Sequence, residues 1–131
     1  MLGMVPLLII PFLLFNLGLA GLFGSADPFS APLFSTAMIS GGVWTMTFGD
    51  SLLVLALVLL FVEMMKSTRT SNASIADHLL STFVFVAYLV EFLLVSGAAQ
   101  AVFFILMVIS LVDVLAGFSV SIRSAGRDVN L

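Results

Sequence analysis

The sequence predicts an all-α membrane protein with four transmembrane helices and both termini on the cytoplasmic side (N-in/C-in). A short interfacial or re-entrant helix is expected in the outer loop between the first and second helices. Three observations predict this. Of 131 residues, 62% are hydrophobic and only 8% are charged, whereas a soluble domain covers itself with roughly 25% charged residues. The apolar residues form four continuous runs, without the alternation of a membrane-spanning strand. Every Lys and Arg falls at one of two places, Lys66 with Arg69 and Arg123 with Arg127. Two apolar runs separate those places, so both lie on one side, which the positive-inside rule makes cytoplasmic.

Crossing roughly 30 Å of hydrocarbon takes about 20 apolar residues in a helix. The first run covers residues 2–23. Pro6 suits a first helical turn, while Pro11 lies further in and is expected to kink the helix. Asn16, the run's only strongly polar side chain, is expected to hydrogen-bond a neighbouring helix. The run is read as a retained span and not as a cleaved leader, because it is long and lacks a basic residue before it.

Residues 24–49 form the outer loop. Within it, residues 32–40 (PLFSTAMIS) are expected to be a short helix, with Pro32 near its first turn and Gly41-Gly42 ending it. Its apolar content places it in the interface or partly in the membrane. Trp44 then falls where an interfacial anchor is expected.

The second run, residues 51–65, is short unless extended back through Phe48 and Thr45. Thr47 and Asp50 have capping spacing in front of it. Glu63 and Lys66, three apart at its end, are expected to pair locally. The third run covers residues 75–95, where Ser74 and Asp77 have the same capping spacing. His78 follows as an amphipathic anchor. The fourth run covers residues 98–122. The tight connection at 96–100 predicts that runs three and four pack as an antiparallel hairpin, with Ala116-Gly117 allowing close approach. About 80 residues are committed to spans, so residues 1–131 are read as a single transmembrane domain.

Composition excludes several functions. The absence of cysteine removes disulfides, thiolate metal sites and thiol chemistry. One histidine cannot build a multi-His zinc site or a bis-His haem from a single copy. A net charge of −3 argues against nucleic acid as a partner. No nucleophile–base pair, phosphate-cradling loop or metal-ligand spacing is present. No enzyme activity, catalytic residue, cofactor or metal is therefore expected.

Two carboxylates lie inside predicted spans, Glu91 in the third and Asp113 in the fourth. On insertion scales, each charge at mid-helix costs about 2.5–3.5 kcal/mol. Neither span carries a basic residue to neutralise it. Each acid must therefore be protonated, meet a cation or water, or meet a basic group of another chain. Tyr88 and Ser110 precede Glu91 and Asp113 by three positions, giving each acid a polar neighbour on its own helical face. Folding the hairpin about Ala99 sets Glu91 level with Met107 and Asp113 level with Phe85. That is about 9 Å apart in depth at 1.5 Å per residue.

Two readings follow. In the favoured one the acids are interhelical glue, and the chain is an accessory or structural subunit of a larger inner-membrane complex or homo-oligomer. Its partners are then the lipid bilayer and other membrane helices. In the alternative, Glu91 and Asp113, with Tyr88 and Ser110, line a proton or cation path in a small coupled transporter or channel subunit.

Overall fold

The computed structural model describes residues 5–21, 27–67 and 72–129, with side chains over 5–21, 27–66 and 76–119. The ends of the first predicted run, the small residues at 24–26, and Arg69 lie outside the described residues. So do the side chains of Ser74, Arg123 and Arg127. The elements in chain order are α1 (Ile9–Leu19), β1 (Pro32–Ala37), β2 (Val43–Thr47), α2 (Phe48–Ser67), α3 (Asn72–Leu94) and α4 (Ala101–Val129). Short 3-10 turns at Pro28–Ser30 and Ser96–Ala98 complete the set.

The protein is mostly helical, and three of its helices are long and apolar enough to cross a membrane. The qualifying stretches are Phe48–Lys66, Ala76–Leu94 and Ala101–Ser119, each of 19 residues, or about 28 Å at 1.5 Å per residue. Helix α1 is apolar but has only 11 residues, about 16 Å long.

The prolines explain where α1 begins. Pro6 precedes the helix, and Pro11 is its third residue. The kink expected at Pro11 is therefore not needed. A proline in the first turn gives up an N–H that has no intrahelical acceptor. Helix α2 starts at Phe48, three residues before the apolar run at 51–65, and Thr47 and Asp50 form its capping box. Asp50 N donates to Thr47 Oγ1 (3.1 Å) and Thr47 N donates to Asp50 Oδ2 (3.3 Å).

The helix expected at residues 32–40 is instead the first strand of a β-hairpin. Strands β1 and β2 are antiparallel, with Ser35 opposite Thr45, Thr36 opposite Trp44 and Ala37 opposite Val43. Gly41, at φ +92°, is left-handed as a helix-ending glycine would be. Here it closes a three-residue turn, with Gly41 N donating to Met38 O (2.9 Å) and Met38 N to Gly42 O (2.7 Å). A helix of about nine residues is marginal in isolation. Pairing Thr, Phe, Val and Trp across strands suits those residues better.

Helix α4 is the hub. It packs along both α2 and α3, which scarcely touch each other. Leu7, just before α1, meets Glu63 near the end of α2, and Leu19 at the end of α1 faces Gly97 after α3. Helices α1 and α3 therefore run one way, and α2 and α4 the other. Aromatic rings hold α1 to the rest. Phe15 stacks on Phe29 (4.3 Å) and tilts against Phe103 (4.6 Å), while Phe12 meets Tyr88 edge-on (4.9 Å). Phe15, Phe29, Tyr88 and Phe103 are all buried.

Candidate functional site

The chain gathers its buried charges at one end of the bundle. Lys66, in the last turn of α2, lies 3.0 Å from Glu63 Oε1 and 3.2 Å from Asp77 Oδ1 of α3. It also donates to Val5 O at 2.7 Å. An ammonium group has three N–H donors, and all three have an acceptor here. The spacing of Glu63 and Lys66 puts them on one face of α2. Asp77 of α3 meets that face.

Glu63 has a second task. Its Oε1 accepts the backbone N–H of Leu7 at 2.7 Å. The N-cap position of α1, Leu8, offers no side-chain cap, and a helix start leaves N–H groups unpaired with partial positive charge. A carboxylate from α2 thus serves the start of α1. Glu63 is 1% exposed, which is rare for a charge unless it is paired.

Asp113 joins this cluster from α4. It is 6% exposed, hydrogen-bonds the Ser81 side chain, and lies in the fields of Glu63, Asp77 and Lys66. Lys66, at the end of the neighbouring helix, acts on Asp113 through space without pairing with it, so the expectation that Asp113 has no basic group of its own chain near it is corrected only to that extent. The expected level of Asp113 is corrected too. Its partner is Ser81, one turn before Phe85, because the α3–α4 turn is centred on Ser96–Ala98 and not on Ala99. Glu63 and Asp77 meet on the same ammonium group of Lys66. Three carboxylates and one lysine thus share a buried space fed by all four helices or their immediate flanks.

Glu91 lies elsewhere. It sits about ten residues beyond Ser81 along α3, or about 15 Å, and its carboxylate meets the Asn16 side chain. Asn16 also donates to Phe12 O at 2.8 Å. Glu91 Oε2 is buried without a hydrogen-bond partner. The expected helix-to-helix contact of Asn16 is therefore with an acid.

The remaining predicted residues are dispersed. Tyr88 is fully buried and donates its hydroxyl to Leu8 O at 2.9 Å, so its polar tip serves the start of α1. Ser110 is 1% exposed, and its hydroxyl has no partner. The expected pairing with Asp113 along one helix face is replaced by the cross-helix bond from Ser81. Trp44 lies on β2, 42% exposed, edge-on to Phe34 at 5.1 Å. His78 packs on Phe118 (4.4 Å) and on Gly117, where a Cβ would collide with its ring.

The sequence reading did not assign Glu63, Asp77 and Lys66 to one site. Asp77 carried the spacing of a cap, but α3 starts at Asn72, which places Asp77 in the second turn and frees it to meet Lys66. The available signal was that one acid ends the second span and another begins the third, at the same end of the bundle, beside one lysine. Among the described residues, no three His, Asp or Glu side chains are placed to hold a metal ion together.

Compared with protein-family models, curated proteins and solved structures, the chain gives no match.

Proposed function

We propose that this chain is a multi-pass protein of the cell inner (plasma) membrane, acting as an accessory or structural subunit of a larger membrane complex or homo-oligomer. One observation carries the reading: the division of its side chains. Glu63, Lys66 and Asp77 are turned inward and tied to one another, and Asp113 is buried beside them on Ser81. The outward sides carry Leu57 and Phe61 on α2, Phe83 and Leu93 on α3, and Leu115 and Phe118 on α4, all exposed. With no aqueous domain among the described residues, the recognisable surface is apolar helix. Lipid chains and other membrane helices are what such a surface binds.

The proposed topology is N-in/C-in with four crossings. Helices α2 and α4 run in parallel, so Lys66 and the Arg123–Arg127 segment come at the same end, which the positive-inside rule makes cytoplasmic. The 11 residues of α1 do not suffice alone. The first crossing is proposed from the composition of the run at 2–23.

Purification in mild detergent, followed by identification of bound chains, tests this. A reproducible stoichiometric partner, or a defined homo-oligomer, is the expected result. A monomer with no bound chain rejects it.

A second reading is a proton- or cation-coupled role, favoured by the imbalance of three carboxylates over one lysine in the buried cluster. Such a cluster has room for one more positive charge, and a proton suits it better than a metal ion, since the acids do not converge on one point. In proteoliposomes this reading expects proton flux that Asp113→Asn abolishes without loss of folding. Glu91, the other acid inside a predicted span, is tested by Glu91→Gln in the same assay. No flux from the native chain rejects the reading.

A further inference from the structure

We propose that the hairpin of β1 and β2 is a lipid-binding wedge. Phe34, Met38, Ile39 and Trp44 enter the membrane surface at the end of the bundle where α2 begins.

The hairpin is unusual for a water-facing element. No charged residue occurs between Asp27 and Asp50, and every residue of β1 is exposed. Ile39, at the tip, is fully exposed, and Met38 and Val43 beside it are exposed as well. A lone two-stranded hairpin is marginal in water, and free strand edges are normally blunted with charge. Neither edge has such protection here. Strand alternation places Phe34, Thr36, Trp44 and Met46 on one face. On that face the Phe34 and Trp44 rings meet edge-on. The other face carries the Ser35–Thr45 hydroxyl pair at 2.7 Å. Ala37 and Val43 pair on that second face too, so the ribbon is uncharged and mostly apolar on both sides.

Its base is fixed to the bundle. Phe29 is buried against Phe15 and Phe48, and Phe48 N donates to Ala31 O at 2.9 Å. Strand β2 ends at Thr47 and α2 starts at Phe48, with no linker between them. A ribbon about 20 Å long is thus held at the end of a helix apolar enough to cross a membrane. An exposed apolar patch of this kind marks a lipid or protein contact. The bilayer surface is already adjacent to the base of the ribbon, and tryptophan is favoured at that depth. Lipid is therefore the occupant.

This inference rests on α2 spanning a membrane, and the two can fail separately. Trp44 is the chain's sole tryptophan, so native emission reports on the hairpin alone. The full chain is reconstituted at one copy per lipid nanodisc, in phosphatidylcholine either unmodified or brominated at shallow acyl positions. Integration is read independently by resistance to alkaline extraction. The expected result is loss of most Trp44 emission in the brominated lipid. Unchanged emission from an integrated chain overturns the wedge, whether iodide in the water then reaches the ring or protein covers it. Shielding that appears only with two or more copies per disc makes a second copy the occupant and also overturns it. Failure to integrate removes the membrane reading, and the wedge with it.

Discussion

Lys66 Nζ lies 3.2 Å from Asp77 Oδ1, an ion pair whose side chains are only 12% and 8% exposed. It binds the last turn of α2 to the second turn of α3. With Glu63 at 3.0 Å and Val5 O at 2.7 Å, the same ammonium group also reaches the chain before α1. Burying charge is costly, and the attraction between partners largely offsets that cost only while both are present.

Lys66→Met is therefore expected to lower stability by about 3–5 kcal/mol, because it leaves two buried carboxylates without their cation. Adding Glu63→Gln and Asp77→Asn to the same protein should recover part of the loss. Unfolding by a denaturing detergent, followed by circular dichroism, measures both effects. A single variant as stable as the native chain would show that the cluster is solvated.

Asp113→Asn should behave in the opposite way. Asparagine keeps a hydrogen bond to Ser81 while removing one of three negative charges around Lys66. Stability is expected to hold or rise by up to ~2 kcal/mol, within the cost of an intramembrane charge. The same unfolding titration decides it, and a clear loss would mean that the Asp113 charge is itself stabilising.

Tyr88→Phe removes only the hydroxyl bonded to Leu8 O and should cost about 1 kcal/mol. Tyr88→Ala also empties the space between Phe12 and Phe103 and should cost about 3–5 kcal/mol. Equal losses in the two variants would assign the whole effect to the hydrogen bond and none to packing.

Gly117→Ala places a methyl group against the His78 ring, and overpacking of this kind costs about 1–3 kcal/mol. The double variant Gly117→Ala/His78→Ala is expected to be more stable than the sum of its single changes predicts. Strict additivity in that cycle would break the proposed contact between α3 and α4.

Much of the architecture was legible residue by residue. The apolar runs over α2, α3 and α4 follow from composition, since transfer into lipid sums over neighbouring side chains. The Thr47–Asp50 cap was legible because both partners lie within one turn. The hairpin was missed because residues 32–40 satisfy a helix reading locally, and only pairing with residues 43–47 makes them a strand. A three-residue turn containing glycine between Thr-, Phe- and Val-rich stretches was the signal to weigh.

The amino-acid order alone determined that this chain belongs in lipid, where its long helices lie and which of its ends are basic. Those properties depend on local sums of hydrophobicity and charge. The folded arrangement decided which groups its acids meet. Asp77 and Lys66 are 11 positions apart, and Glu63 and Leu7 are 56. Contacts at such separations depend on how helices are turned and set against one another, and no local pattern carries that information.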